Sequence, residues 1–117
     1  MEVILYGIAN CDTIRKAKKW LDNAEITYQY HDYRKHGLSK TQLDIFVSEL
    51  GWENLINKRG TTFRQLDATT KQSLNADSAV SLMLNAPAMI KRPLLSIDGH
   101  FYLGFKPEDY QTIFQQG

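Results

Sequence analysis

The chain's only cysteine, Cys11, stands in the stretch GIANCDTIRKAKKWL (residues 7–21), where a short apolar run gives way to a helical pattern. A free thiol titrates near ~8.5 and is mostly protonated at neutral pH, so a nucleophilic cysteine needs its thiolate stabilised. A helix start does this through unpaired N–H groups and the positive end of the helix dipole. Arg15, four residues on, can reach back over the same turn and add a fixed positive charge, or it can sit on a solvated helix face. Asp12 opposes the effect, because a neighbouring carboxylate raises a thiol pKa, and is expected to point into solvent or cap the helix. Free cysteines are by default buried packing residues. The place of Cys11, after an apolar strand and before a capped basic helix, favours the reactive alternative.

No Cys-x-x-Cys motif is present: the position three after Cys11 is Ile14, and the chain holds no second thiol. A mixed disulfide on Cys11 therefore needs an external thiol to release it. Glutathione is the natural cytoplasmic candidate. A second informative stretch is MIKRPLLSIDG (residues 89–99), in which Arg92-Pro93 makes a turn entry into an apolar strand. By residue type alone, Lys91 and Arg92 read as surface charges.

The elements that must position these groups can be read from periodicity. Val3-Ile4-Leu5-Tyr6 is a continuous apolar run, as in a strand covered on both faces. From Ile14 the period becomes helical, with Ile14, Ala17, Trp20, Leu21 and Ala24 on one face and most of Arg15, Lys16, Lys18 and Lys19 on the other. Asn10, Asp12 and Thr13 are all helix-capping types. Residues 26–33, ITYQYHDY, alternate and are rich in aromatics, which predicts a second strand and a right-handed βαβ unit. Cys11 then lies at the carboxyl edge of the first strand, where open α/β sheets bind ligands. In the middle, Ser39 and Gln42 form a capping-box pattern ahead of Leu43, Phe46, Val47 and Leu50, with Gly51 as the stop. Short helices are expected near 62–66, 68–74 and 78–84. The segments 94–97 and 100–103 around Asp98-Gly99 read as a hairpin. Pro107 opens a last helix, with Tyr110, Ile113 and Phe114 facing inward.

The expectation is an α/β fold with a mixed four-stranded, thioredoxin-like sheet in the order β-α-β, helical insert, β-β-α. It forms a single domain over 1–117, with the insertion at about 38–86. Fourteen basic residues against thirteen acidic ones give a net charge of +1. That balance supplies no reason to expect nucleic acid or an anionic membrane as a partner. The first ten residues lack a signal-peptide pattern, and no apolar run approaches the ~20 residues needed to span a bilayer. With one cysteine and no internal disulfide, a cytoplasmic location is expected. His31, His36 and His100 lack metal-ligand spacing, and no phosphate loop or dinucleotide fingerprint is present. Lys16 to Lys19 read as a solvated face, and the aromatics Trp20, Tyr28, Tyr30, Trp52 and Phe63 as packing residues.

Taken together, Cys11 with Arg15, the helical middle, IKRPLL (residues 90–95), RGTTFRQLD (59–67) and GFKPEDY (104–110) resemble the ArsC-type arsenate reductase family, in its small YffB-like branch. The resemblance covers essentially the whole chain. It implies a thioredoxin-like fold with Pro93 in the cis form opposite the cysteine, Cys11 as nucleophile, and Arg92 as the basic partner of the thiolate and of an anionic substrate group. Arg59 lies near the place of another anion-binding arginine, and Lys106 at a further basic position. Two positions depart from the reductases: their histidine four residues before the cysteine is Gly7 here, and their middle arginine aligns with Asn57, two before Arg59. Both fall in the expected oxyanion pocket.

The reading is a glutathione-dependent monothiol reductase without a bound cofactor. Cys11 attacks an oxyanion such as arsenate or a mixed disulfide, Arg92, Arg15 and Arg59 hold the anionic part, and glutathione, directly or through glutaredoxin, resolves the adduct. The alternative is a non-catalytic adaptor like the related Spx branch, which binds RNA polymerase.

Overall fold

A computed structural model describes residues 1–9 and 11–115. Asn10, one of the three capping types, lies outside the described residues. Along the chain the elements are β1 (Val3–Gly7), α1 (Asp12–Asn23), β2 (Gln29–Asp32), α2 (Tyr33–His36), α3 (Lys40–Leu50), α4 (Trp52–Leu55), α5 (Thr61–Arg64), α6 (Ala68–Gln72), α7 (Ala76–Asn85), a 3-10 turn at Pro87–Met89, β3 (Leu94–Ile97), β4 (His100–Leu103) and α8 (Pro107–Gln115). They cluster into two compact units, one made of Met1–Asp32 and the chain from Arg92 onward, the other of Tyr33–Lys91.

The first unit holds one four-stranded sheet in the order β2-β1-β3-β4. β1 runs parallel to β2, while β1–β3 and β3–β4 are antiparallel. This is the expected α/β, thioredoxin-like layout. One face of the sheet carries Val3, Leu5 and Leu95, and packs with Ala17 and Leu21 of α1 and Tyr110 of α8. Ile14, Ala17 and Leu21 are buried as the helical period predicts, Trp20 is half-buried, and Ala24 is exposed because it is already the C-cap. Trp20 stacks on Phe114 and meets Tyr110 edge-on, 5.5 Å between centroids, which ties α1 to α8. The β3–β4 hairpin turns at Asp98 (φ 49°) and Gly99 (φ 85°), as the Asp-Gly pair requires.

The second strand is shorter than expected, spanning 29–32 rather than 26–33. It pairs with Ile4 to Gly7 of β1 in a ladder of four rungs. Before it, Glu25 turns at φ 58° and Ile26 donates back to the Leu21 carbonyl. After it, Tyr33 opens a helix instead of extending the strand.

The second unit is helical. Ser39 Oγ accepts the Gln42 N–H and Gly51 ends α3 at φ 84°, as read from the sequence. The three short helices are present with shifted bounds, set by local caps. Asp67 accepts from Thr70 N–H at the start of α6, and a reciprocal Asn75–Ser78 capping box starts α7 earlier than expected. Leu43, Phe46, Leu55, Val80 and Met83 form its buried interior. An isolated bridge, Ile56 with Ile90, closes the unit at its base, reinforced by Lys91 N–H on the Leu55 carbonyl at 2.8 Å.

Gly7, at the end of β1, is where the strand comes closest to α1. A Cβ built there would lie 2.3 Å from Ile14 Cδ1 and 3.0 Å from its Cγ1. Gly7→Ala is expected to cost about 1–3 kcal/mol through overpacking. Ile14→Val removes the clashing methyl, so the double variant should be less destabilised than the two single losses added together. Urea unfolding of the four proteins checks this; strict additivity contradicts the contact.

Candidate active site

The apolar β1 delivers the chain to the carboxyl edge of the sheet at Gly7, and α1 begins at Asp12. Cys11 is itself the N-cap residue, with extended backbone angles (φ −113°, ψ 125°). Its carbonyl accepts the first helical hydrogen bond, from Arg15 N–H at 3.1 Å. Asp12 and Thr13, expected as possible caps, occupy the first helical turn instead. As the N-cap residue Cys11 offers no side-chain oxygen, and its sulfur meets the Thr13 and Ile14 N–H groups instead. The sulfur belongs to a half-buried residue.

Five effects set the titration of the thiol. Burial pushes it up. The Ile14 N–H, a hydrogen bond from the Arg92 guanidinium, the Thr13 N–H and the charge of Arg92 all push it down, and together they hold Cys11 below the ordinary thiol value. The chain is therefore arranged to favour the thiolate.

Arg92 reaches the sulfur through strand register. β3 pairs antiparallel with β1, Leu94 opposite Tyr6, so residues just before Leu94 lie at the same edge as residues just after β1. The Arg92-Pro93 bond is cis, and the buried Pro93 accepts the Gly104 N–H at 2.9 Å. Arg92, half-buried at the root of β3, is no plain surface charge.

Arg15 is placed differently from the expectation. Its guanidinium pairs with Asp12 on the exposed first turn of α1, the two side chains being 62% and 81% exposed. The side chain that acts on the thiol is that of Arg92. The pairing has a simple cause: Asp12 is three residues from Arg15 on the same helix face. Lys106 is exposed where α8 begins, and its carbonyl accepts from Asp109 and Tyr110 N–H. Arg59 belongs to the second unit, on an exposed turn where its N–H donates to Asn57 Oδ1 at 3.2 Å. The space beside Gly7, where arsenate reductases carry a histidine, is filled by Ile14.

Two residues of the site escape a motif-based reading. Tyr30 and Asp32 alternate along β2, so they share the sheet face of Leu5 and Gly7, their partners on β1. The Tyr30 hydroxyl is pushed up to about 12 by burial, by the Asp32 carboxylate and by the Cys11 thiolate, with Arg92 acting in the opposite direction. Lys18 lies over its ring, 3.5 Å from the centroid. Asp32 is only 5% exposed, and accepts the Ala9 N–H at 3.0 Å. An aspartate at the inner end of a short strand is out of character for β structure, and that was the available signal. Among the described residues no cluster of His, Cys, Asp and Glu could hold a metal ion.

Alkylation of Cys11 by iodoacetamide across pH tests the electrostatics. The rate follows the thiolate fraction, so its midpoint should fall below the ordinary ~8.5. Arg92→Met removes both a donor and a charge, and should move the midpoint upward and slow the reaction at neutral pH severalfold. An unchanged midpoint contradicts the role given to Arg92.

Comparison with known proteins identifies the family. The ArsC family model matches residues 6–113. An uncharacterized protein of Haemophilus influenzae is 43% identical over 112 residues, 96% of this chain and 98% of that one. The solved structure of the YFFB protein superposes with a TM-score of 0.88 at 44% identity, covering 94% of this chain and 96% of that one. An arsenate reductase (ArsC) related protein from Brucella melitensis gives 0.83 at 47% identity, covering 98% and 96%. More distantly, the global transcriptional regulator Spx of Streptococcus pyogenes is 26% identical over 116 residues, 97% of this chain and 86% of that one. With a family match across most of its length, and the thiol and arginine that the resemblance implied meeting at one edge of the sheet, the chain belongs to the ArsC family.

Proposed function

We propose that this ArsC-family protein is a monothiol reductase that uses glutathione as external reductant. The observation that carries the reading is the Arg92 guanidinium hydrogen-bonded to a thiol held at an otherwise uncapped helix start. A thiol held below its ordinary value by fixed donors ionises more readily, and a planar guanidinium beside it suits the carboxylates or oxyanion of an incoming substrate.

With a glutathione mixed disulfide as substrate, the Cys11 thiolate attacks the glutathionyl sulfur. A Cys11–glutathione disulfide forms, the original S–S bond breaks, and the leaving thiolate carries away its electron pair. A glutathione thiolate then attacks the adduct, which restores Cys11 and releases oxidised glutathione. With an oxyanion such as arsenate, the same thiolate bonds the central atom with loss of water. The two reducing electrons then come from external thiols that end as a disulfide, glutathione acting alone or with glutaredoxin. The filled space beside Gly7 favours the disulfide substrate, since no side chain stands there to serve an oxyanion. A glutathione-rich cytoplasm is the compartment in which this cycle runs.

The Spx relatives favour a second reading, a non-catalytic adaptor for a protein partner such as RNA polymerase. Incubation with oxidised glutathione separates the two at the first step. The reductase reading expects a single adduct of about 305 Da on the wild-type protein, from one thiol–disulfide exchange, and none on Cys11→Ser. It also expects glutathione oxidation dependent on a mixed-disulfide substrate, lost at least a hundredfold in Cys11→Ser. Absence of both adduct and turnover, with polymerase subunits bound equally by wild type and Cys11→Ser, establishes the adaptor instead.

A further inference from the structure

We infer that Asp32 is a positioning residue for the Cys11 thiol: from the end of β2, its buried carboxyl group holds the Ala9 N–H and so fixes the approach of the chain to the start of α1. The inference rests on the reading of Cys11 as nucleophile and deepens it by naming what sets the sulfur in place.

The geometry is specific. β1 and β2 end level with each other, Gly7 opposite Asp32. Beyond Gly7 the chain leaves the ladder, and Ala9 N–H has no strand partner in register. It donates to Asp32 Oδ2 at 3.0 Å, a contact between residues 23 apart in sequence. Asp32 is 5% exposed, and burying a carboxyl group is costly unless it is bonded, so its place is strongly specified. The anchored amide is two residues from Cys11. The thiol works only where it meets the Thr13 and Ile14 N–H groups and the Arg92 guanidinium together. The tether thus fixes Ala9 on the sheet side of the site, and α1 fixes Thr13 and Ile14 on the helix side.

A second observation places Asp32 in the same neighbourhood. The Tyr30 hydroxyl, two residues earlier on the same face, is influenced at once by Asp32, Cys11 and Arg92. Tyr30, Asp32, Cys11 and Arg92, with Lys18 over the Tyr30 ring, are titratable and charged groups gathered at this edge, from β2, α1 and the entry to β3. What the acid visibly holds is the Ala9 N–H. Its effect is exerted through the backbone, so removing its charge and removing its hydrogen-bond acceptor should have different consequences.

The experiment compares Asp32→Asn, which keeps an acceptor oxygen, with Asp32→Leu, which is similar in size and has none. The readout is the pH midpoint of Cys11 alkylation, measured on protein shown folded by circular dichroism. Asp32→Leu should move the midpoint up toward the ordinary thiol value and slow alkylation at neutral pH severalfold. Asp32→Asn should stay close to wild type. A purely structural role would lower the melting temperature and leave the midpoint of the folded protein where it was, and that result overturns the inference. Should Asp32→Leu fail to fold, hydrogen exchange of the Ala9 amide in the wild-type protein decides. Slow exchange relative to an unstructured amide, retained in Asp32→Asn, supports the anchor; fast exchange overturns it. A wild-type midpoint at the ordinary ~8.5 instead defeats the underlying thiolate reading, whatever the Asp32 variants do.

Discussion

A sulfur anion stabilised by a guanidinium and two backbone amides is the interaction on which the rest of this molecule's chemistry depends. A thiol at the edge of a sheet has little reason to ionise at neutral pH. Burial works against the charge, and here it is the largest single effect on Cys11. Fixed donors outweigh it because they come from structure that is already formed. The Thr13 and Ile14 N–H groups are free since helical geometry gives the first turn no internal acceptors. Arg92 is near since antiparallel pairing of β3 with β1 brings the start of one strand to the end of the other. No long flexible side chain has to be ordered from solution to complete the arrangement, apart from the guanidinium itself.

The same logic explains why the acidic neighbour does so little harm. Asp12 is adjacent to the thiol in sequence, yet its side chain is among the more exposed at the site and pairs with Arg15. An exposed ion pair contributes little stability. Its value here is directional: it draws one negative group toward solvent and engages one positive group locally, leaving the half-buried Arg92 to act on the sulfur. The second carboxyl group, Asp32, is kept at the edge in a different way, buried and bonded to the Ala9 amide.

Packing also narrows the chemistry. Ile14 is both a core residue of α1 and the side chain that fills the volume next to Gly7. Its backbone N–H serves the thiol while its side chain closes the strand–helix gap. A residue in that double position couples the fit of the core to the fit of the site. It also leaves the thiolate to be stabilised by backbone amides and one arginine, a set suited to sulfur exchange with an external thiol.

Local pattern was enough to establish much of this protein. The apolar run of β1, the 3.6-residue period from Ile14, the Ser39 cap, the Asp98-Gly99 hairpin and the Pro107 helix start each depend on neighbours within a few residues, and each is present. The place of Cys11 at a helix start was readable for the same reason, since strand exit and helix entry are local events. What lay beyond reach depends on partners distant in sequence. β2 is an exception, confined to four residues by the turn at Glu25 before it and the helix that opens at Tyr33 after it. Arg92 rather than Arg15 attends the thiol because strand register carries it across some eighty positions, while Arg15 meets the nearer Asp12. Tyr30 and Asp32 looked like ordinary strand residues until parallel pairing set them on the Cys11 side of the sheet. The sequence alone therefore determined the scaffold and where on it the single thiol sits. Only the tertiary structure decided which charges surround it, because an electrostatic field is set by distance in space and a chain records only distance along itself.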